Sequence, residues 1–443
     1  MRFDTRRVLM TMMAVLLLLP AIVACGGGGD DDDPTATTAG STAAAGSTTT
    51  SGTSDDATET TGGDATATTG ESDPAATGTT GGTSPDAPTG TAAADATVPA
   101  DGGGDFAYGW NVAVRGDDGG SEHNAQVVTA VQDSGFGWVR FQLEWSQFER
   151  VDNQWDPLPI DRIVDQFAAD GVNILLVVAK APEWALDPTG NQLLADYAQF
   201  TELMAFVSQR YAGKVQAWEI WNEQNLAHEV NGNVRVADYV ELLKAGHAGV
   251  RQGDPEALVV FGGLTPNGVN DPAIAIDDLE YLRQIYQVNG GEIALYYDVM
   301  GMHVSSTHNP PDTMWPDNPS AEEGYNDDES FYFRRAEQLW EVMITMGESA
   351  KPVWITEFGW TTENQAEGYE YGVNNTPEEV AEYLVRSFEI ARTEWNFVEG
   401  MFVWTLNWTT LAPPEDEKYP WSALNDDWSP RPAYEALRDM PKS

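Results

Sequence analysis

The sequence predicts a (β/α)8 TIM barrel that follows a long N-terminal segment with no core of its own. Eight apolar runs alternate with eight amphipathic stretches, and about 340 residues follow position 105, enough for one large α/β domain. The runs are also uniformly apolar, as in residues 174–178, which contain only Ile, Leu and Val. A parallel barrel covered by helices requires such strands, because both faces of each strand are buried.

The first 25 residues have the layout of a secretory signal peptide. Arg2, Arg6 and Arg7 precede an apolar run at residues 8–23 that is short for a membrane-spanning helix. Small residues then lead to Cys25, the only cysteine of the chain, in an arrangement that resembles the bacterial lipobox. We therefore expect lipidation of Cys25 at the extracellular face of a bacterial cell membrane. A cleaved signal with an incidental cysteine is the alternative.

Residues 26–105 are rich in Gly, Ser, Thr, Ala and Asp and contain no Lys, Arg or aromatic residue. Such a composition cannot bury enough apolar surface to offset the entropy of ordering the chain. We expect a disordered linker here, between the signal and lipobox at residues 1–25 and the barrel domain at residues 106–443.

The charge of the chain limits its partners. It has 23 basic and 70 acidic residues, a formal net charge of −47, and residues 106–443 hold 20 of the basic and 55 of the acidic ones. Like charge disfavours nucleic acid, anionic lipid surfaces and polyanionic polymers. We expect a monomer that takes a neutral substrate and contacts a membrane only through its lipid anchor.

The eight strands are expected where short apolar runs end at polar or turn-forming residues. They are predicted at residues 106–114, 138–143, 173–179, 215–221, 258–262, 297–304, 353–357 and 398–405. A doubly wound open sheet is the alternative topology. It normally carries a glycine-rich phosphate loop after its first strand, where this chain has Trp110, Asn111 and Val112.

An amphipathic stretch with recognisable start or stop signals follows each strand. Gly171 ends the second helix, Asp254 and Pro255 stop the fourth, and Thr376 before Pro377 is an N-cap for the seventh. The helices are predicted at residues 122–133, 159–170, 193–211, 236–252, 274–287, 330–346, 377–392 and 432–440.

Two of the predicted strands end in a glutamate. The fourth runs into Trp221, Asn222 and Glu223, and the seventh into Thr356 and Glu357. Catalytic groups of parallel barrels lie at the carboxyl ends of the strands, so these carboxylates would face each other across the mouth. Cleavage of a glycosidic bond requires such a pair, because one carboxyl donates a proton while the other attacks or activates water. A helix cap or surface ion pair is the alternative for Glu223.

The motifs Trp-Glu-Ile-Trp-Asn-Glu at 218–223 and Trp-Ile-Thr-Glu-Phe-Gly-Trp at 354–360 resemble the strand-four and strand-seven motifs of clan A glycoside hydrolases, in particular families 39 and 5. The resemblance covers residues 106–443. It implies a retaining double-displacement glycosidase with Glu223 as the acid/base and Glu357 as the nucleophile. No His-Glu-x-x-His motif, cysteine pair or Asp-rich loop is present in the sequence, so we expect neither a metal nor a cofactor.

The resemblance also assigns residues around the pair. It implies that Asn222 contacts the sugar 2-hydroxyl, that Arg140 lies close to the nucleophile, and that His303 is the strand-six histidine of the family. A nearby guanidinium would hold Glu357 ionised on general grounds. A structural ion pair is the alternative for Arg140 and a core role is the alternative for His303. Many relatives carry a tyrosine where this chain has Ser305.

Aromatic residues are abundant after the later strands. By the same resemblance, Trp404 is the floor of the sugar-binding subsite, and Trp184 and Trp360 are further substrate-binding candidates; core packing is the alternative. We expect about half of the other loop rings to overhang the mouth and the rest to pack the loops onto the barrel. These rings are Trp315, Tyr325, Tyr369, Tyr371, Trp408, Tyr419, Trp421 and Trp428.

Glu219 and Glu144 compete with Glu223 for the acid role. Glu219 falls in mid-strand, below the mouth, and Glu144 has no counterpart of its own on strand seven. The predicted function is therefore hydrolysis of a neutral, β-linked polysaccharide or oligosaccharide by Glu223 and Glu357. The alternatives are a non-catalytic carbohydrate-binding protein at the cell surface and a transglycosylase that remodels exopolysaccharide.

Overall fold

The computed structural model describes residues 106–317 and 328–442, which form a closed barrel of eight parallel strands surrounded by helices. The predicted fold class is confirmed. The predicted signal peptide, the lipobox with Cys25, the linker at 26–105 and the loop residue Tyr325 lie outside the described residues.

All eight predicted strands are present. They are β1 Ala107–Asn111, β2 Trp138–Glu144, β3 Asn173–Ala179, β4 Ala217–Ile220, β5 Leu258–Phe261, β6 Val299–Ser305, β7 Val353–Gly359 and β8 Val398–Val403. Each strand pairs in parallel with its neighbours in the chain, and β1 pairs with β8 to close the barrel. The first, fourth, fifth and eighth strands end earlier than predicted, because the chain leaves the sheet before the predicted carboxyl ends and forms the mouth.

The barrel helices are α1 Gly120–Asp133, α2 Leu158–Ala169, α3 Tyr197–Arg210, α4 Val236–Gly253, α5 Asp278–Ile285, α6 Arg335–Thr345, α7 Pro377–Thr393 and α8 Pro432–Asp439. The predicted cap of α7 is confirmed, since Thr376 and Glu379 form a reciprocal capping box. None of the helices in the described ranges has the length and apolar composition that a membrane crossing requires.

The predicted starts of three helices are wrong. Helix α3 begins at Tyr197 because the Asp196 side chain caps it, and α6 begins after a separate 3-10 turn at Glu329–Phe331. Before α5, residues 270–271 pair with residues 275–276 in a small antiparallel sheet. Asn225 holds this sheet in place by donating from Nδ2 to the Ile276 carbonyl oxygen at 2.9 Å.

The barrel interior is built in layers, because alternate residues of each strand point inward. The lowest layer is an apolar plug formed by Ala107, Leu175, Ala217, Val260, Val299, Trp354 and Phe402, against which Trp138 packs. Two residues further along β2 and β4 stand Arg140 and Glu219, which lie above the plug and beneath the mouth. This charged layer supports the site described next.

Candidate active site

A cavity of about 370 Å3 opens at the carboxyl ends of the strands. Six of the predicted site residues line it: Arg140, Asn222, Glu223, His303, Glu357 and Trp404. They come from β2, β6 and β7 and from the segments after β4 and β8, so residues distant in sequence meet at one face of the barrel.

Glu223 is positioned by a sharp turn after β4. Trp221 and Glu223 both have positive φ angles, 70° and 49°, which non-glycine residues rarely adopt outside turns and functional sites. The Glu223 N–H donates to the Gly263 carbonyl oxygen at 3.0 Å, and the Trp221 indole donates to the Glu229 carbonyl oxygen at 3.0 Å. These bonds direct the Glu223 carboxyl group into the cavity.

Glu357 is positioned by an irregularity in β7. Met302 of β6 pairs with Ile355, but the next residue, His303, pairs with Glu357, so Thr356 is the extra residue of a bulge. Bulges re-aim side chains and are common beside active sites. Here the bulge places the Glu357 carboxylate next to both His303 and Arg140.

Glu223, His303 and Glu357 each offer an oxygen or nitrogen atom, and these atoms all lie within 4.8 Å of one another. His303 stands between the carboxylates, with Nδ1 at 3.2 Å from Glu223 Oε1 and Nε2 at 3.7 Å from Glu357 Oε1. Three such groups could in principle ligate a metal ion, but Arg140 adds a positive charge 2.5 Å from Glu357. The cluster is therefore better suited to proton transfer than to cation binding.

Arg140 is the centre of a closed hydrogen-bond network. Its five donor contacts are Nε to Glu219 Oε2 at 2.6 Å, Nη1 to Asn111 Oδ1 at 2.8 Å and Glu357 Oε1 at 2.5 Å, and Nη2 to Glu219 Oε1 at 3.2 Å and Asn222 Oδ1 at 2.8 Å. Burial alone would lower the pKa of Arg140, but the charges of Glu219 and Glu357 raise it above its usual value. The guanidinium therefore stays charged and fixes the orientation of Asn222 and Glu357.

Glu219 has no exposed surface, as predicted from its mid-strand position. Besides the Arg140 bonds, its Oε1 accepts from the Gly263 N–H at 3.0 Å and the Thr356 hydroxyl at 3.3 Å. This carboxylate supports the site from below and does not line the cavity.

His303 is buried, and burial by itself would lower its pKa. The charge of Glu357 and the hydrogen bond with Glu223 outweigh that effect, so the pKa of His303 is raised. Gly263 makes room for the ring, because a methyl group on its Cα would overlap His303. Sequence reasoning missed Gly263, although a glycine pair at the end of β5 is a signal of close approach.

Two predicted tryptophans do not belong to the cavity. Trp184 packs edge-on against Trp145, with ring centroids 5.7 Å apart, and donates its indole N–H to the Glu149 carbonyl oxygen at 3.1 Å. Trp360 is buried and donates to the Asn309 carbonyl oxygen at 3.0 Å. Neither residue is among those that line the cavity in the described ranges, so both assignments are corrected to structural roles.

Trp404 and four of the predicted loop rings do line the cavity: Tyr369, Tyr371, Trp408 and Trp421. They form an aromatic wall on the side of β7 and β8. Trp315 instead packs on Tyr332, and Trp428 packs on His123. Aromatic rings bind apolar C–H faces, so the wall is suited to a ring-shaped ligand with such faces.

Charged residues that sequence reasoning did not assign to the site also line the cavity: Glu144, Arg150, Asp156, Lys180, Glu229, Glu417 and Lys418. Glu417 and Lys418 form a buried ion pair at 3.0 Å beside the aromatic wall. Burial raises the pKa of Glu417 to about 7 in spite of Lys418. Lys180 could have been found from sequence, since it follows β3 directly, much as Glu223 follows β4.

No protein-family model and no curated protein matches the sequence. Solved structures match the fold. A family 39 glycoside hydrolase from the gut symbiont Bacteroides cellulosilyticus WH2 superposes with a TM-score of 0.55 at 18% identity, over 75% of this chain and 62% of that one. The family 39 enzyme from Xanthomonas axonopodis pv. citri gives 0.53 at 18% identity, over 75% and 65%.

A third match is xylanase 10B from Thermotoga petrophila RKU-1, solved in complex with xylobiose. It has a TM-score of 0.50 at 14% identity, over 76% of this chain and 93% of that one. The chain thus spans less than two thirds of the length of the two family 39 structures. It shares with all three enzymes a closed parallel (β/α)8 barrel.

Proposed function

We propose that the protein is a retaining glycoside hydrolase that acts on a neutral, β-linked saccharide at the bacterial cell surface. The observation that carries the proposal is the pair of carboxylates at the mouth, Glu223 and Glu357, whose oxygens lie within 4.8 Å of each other. Retaining glycosidases hold their two carboxyl groups about 5 to 5.5 Å apart, whereas inverting enzymes separate them by about 6.5 to 9.5 Å to admit a water molecule.

The environments of the two carboxylates support different roles. Glu357 accepts a hydrogen bond from the Arg140 guanidinium at 2.5 Å, which fixes the orientation of its carboxylate and suits a nucleophile. Glu223 has no guanidinium contact among the described residues and shares its hydrogen bond with the His303 ring. These contacts leave Glu223 for the acid/base role that its sequence motif implies.

In the proposed reaction, a Glu357 carboxylate oxygen attacks the anomeric carbon as the bond to the leaving oxygen breaks. Glu223 gives its proton to that oxygen, so the leaving group departs as an alcohol. Glu223 then removes a proton from water, whose oxygen displaces Glu357 from the anomeric carbon and restores both carboxyl groups. Asn222, held by Arg140, faces the same cavity and is placed to bond a sugar hydroxyl.

Hydrolysis of 2,4-dinitrophenyl β-glycosides of glucose, xylose, galactose and mannose tests the proposal. We expect wild type to cleave at least one of them, and Glu357→Gln to lower kcat by about 10⁴-fold or more. Glu183→Gln, which changes an exposed carboxylate outside the cavity, is the matched control and should keep full activity. Equal activity of the wild type and Glu357→Gln would overturn the assignment of the nucleophile.

Azide separates the two roles further. Azide should rescue Glu223→Ala on a substrate with a good leaving group, because azide needs no proton removal and attacks the glycosyl intermediate to yield a β-glycosyl azide. NMR of the first sugar that the wild type releases should show the β anomer. An α anomer would contradict retention, and binding without cleavage of any substrate would favour a carbohydrate-binding protein.

The location at the cell surface rests on the sequence before the barrel. If Cys25 is lipidated, metabolic labelling with a fatty acid should mark the protein, and Cys25→Ser should abolish the label and release the protein from the membrane fraction or leave its signal unprocessed. Unchanged labelling and membrane association of Cys25→Ser would remove this part of the proposal.

A further inference from the structure

A second polar cluster lines the same cavity on the side of β2, β3 and β4, opposite the aromatic wall. It consists of Glu144 at the end of β2, Lys180 directly after β3, and Glu229 in the loop after β4. Lys180 has a positive φ of 62°, so the backbone adopts an uncommon conformation at the residue that carries the ammonium group into this cluster.

The cluster has hydrogen-bonding capacity left over. Lys180 forms an ion pair with Glu229 Oε2, which occupies one of its three N–H donors. The Glu229 side chain is fully buried and is held from both sides, since Lys180 contacts its Oε2 and His228 Nε2 lies 3.2 Å from its Oε1. The Glu144 side chain has no hydrogen bond or ion pair within residues 106–317 and 328–442.

Buried polar groups in folded proteins are normally satisfied, so spare donors and acceptors that face a cavity indicate a polar ligand. A sugar hydroxyl both donates and accepts. One hydroxyl can accept from the Lys180 ammonium, and its neighbour on the ring can donate to the Glu144 carboxylate. Two adjacent hydroxyls therefore match the free groups of the cluster.

The charges of the cluster favour a neutral sugar over an acidic sugar or an amino sugar. Glu144, Lys180 and Glu229 together carry one net negative charge, and the charges of Arg150 and Asp156, which also line the cavity, cancel in that sum. An acidic sugar would therefore gain Lys180 but meet the carboxylates of Glu144 and Glu229. An amino sugar would meet the Lys180 ammonium. Neutral hydroxyls bond both kinds of group without adding charge to a partly buried site.

We propose that Glu144, Lys180 and Glu229 form a hydroxyl-binding subsite that selects a neutral sugar with two adjacent free hydroxyl groups. The subsite deepens the proposed hydrolase function and rests on it for the identity of the ligand. Glu144 is the acceptor that bonds the sugar directly, and Glu229 positions Lys180. Burial raises the pKa of Glu144 and the charge of Lys180 offsets part of that rise, as expected of a carboxyl group that awaits a donor.

The test uses 4-nitrophenyl β-glycosides of glucose, xylose, galactose and mannose, the glucuronide as the acidic probe, and the 3-deoxy and 4-deoxy derivatives of the best neutral probe. KM is measured for probes that are hydrolysed, and a calorimetric Kd for those that are not. A failure of hydrolysis is thereby distinguished from a failure of the subsite.

We expect the wild type to prefer a neutral probe, and Glu144→Leu to weaken its binding by about tenfold or more. Glu144→Gln, which keeps a polar side chain of the same shape, should weaken binding less. It replaces Glu144→Leu in the test if that variant does not fold. Glu183→Leu, an exposed change three residues after Lys180, is the control and should leave binding unaltered.

The deoxy probes provide the sharper readout. One deoxy derivative should bind the wild type more weakly than its parent, and that difference should disappear in Glu144→Leu, which a purely structural role of Glu144 would not produce. The subsite would be overturned if each deoxy probe lost the same affinity, relative to its parent, in the wild type and in both Glu144 variants. Tighter binding of the glucuronide than of every neutral probe would also overturn it, as would no binding of any probe to the wild type.

Discussion

Glu219 and Glu144 are inward-facing glutamates of the same barrel, yet their surroundings are opposite. Glu219 is fully buried and accepts from Arg140, Gly263 and Thr356, whereas Glu144 borders the cavity without a hydrogen bond from the described residues. A buried carboxylate that already accepts four hydrogen bonds from the protein, as Glu219 does, has little capacity left for a ligand. Glu219 therefore holds neighbouring protein groups in place. Glu144, whose acceptor sites are free, can instead bind a ligand.

The same contrast separates the two cations. All five donor contacts of Arg140 are to protein acceptors, while Lys180 has Glu229 as its ion-pair partner. The Arg140 network is thus complete before substrate arrives, which is how a site keeps its geometry through turnover. The Lys180 cluster is complete only when a ligand is present.

The largest expected effect is on Arg140. Arg140→Lys keeps a positive charge but cannot reproduce the planar fork that bonds Glu219, Asn222 and Glu357 together. We expect kcat to fall by about 100-fold or more, because small displacements of catalytic groups cost about that much. The control is Arg162→Lys on the surface of α2, which should keep wild-type kcat. Similar kcat values for the two variants would show that the network does not position the nucleophile.

Glu219→Gln tests the closed network through stability. The substitution leaves Arg140 buried with one fewer charge partner, and breaking a buried ion pair in this way costs about 3 to 5 kcal/mol. Urea denaturation should report a free energy of unfolding lower by that amount. A loss below about 1 kcal/mol would mean that Glu219 is replaceable and that the contrast with Glu144 is wrong.

Glu417 is intermediate between Glu219 and Glu144. It is buried, and it forms an ion pair with Lys418 at 3.0 Å. Its pKa of about 7 lies above the usual value of 4.5, so the folded state binds this proton more tightly than the unfolded state. The free energy of unfolding should therefore fall as pH rises from about 5 to about 8. Glu417→Gln should reduce that fall by about 2 kcal/mol.

Unfolding by urea at pH 5 and pH 8 checks this sign. Glu415→Gln, which changes an exposed carboxylate in the same loop, should leave the pH dependence of wild type unchanged. An equal pH dependence for Glu417→Gln and wild type would place the Glu417 titration outside this window.

The smallest expected effect is a gain in stability. Because burial raises the pKa of Glu144, its ionised form is unfavourable in the folded protein, and Glu144→Gln removes that cost. We expect the free energy of unfolding at pH 8 to rise slightly while sugar binding weakens. Such a trade of stability for binding is common at functional sites. A clear loss of stability would mean that Glu144 has a structural partner.

The sequence predicted the barrel because short apolar runs and helix caps are local signals. It predicted the meeting of Glu223 and Glu357 because strand ends of a barrel share one face. The start of α5 was mispredicted, since a distant side chain, Asn225, determines the conformation at Ile276. Propensity does not contain such tertiary bonds.

Side-chain direction was the other limit. Trp184 and Trp360 follow strands as Trp404 does, and only the packing of Trp145 and the carbonyl oxygen of Asn309 turn their indoles away from the cavity. Glu229 carried no signal at all, because a loop residue six positions after Glu223 becomes part of the site only through the path of the loop.

Arg140 also sets the order in which the site can be assembled during synthesis. Its partner Glu219 lies 79 residues further along the chain, but Glu357 lies 217 residues away. A growing chain can therefore form the first ion pair when β4 is available, yet the nucleophile joins it only after β7 has docked. Contacts of such long sequence separation form slowly. Glu357 therefore joins Arg140 and Glu219 only as the barrel closes. A nascent chain therefore cannot hold Glu357 against Arg140 until β7 has been synthesised and has docked.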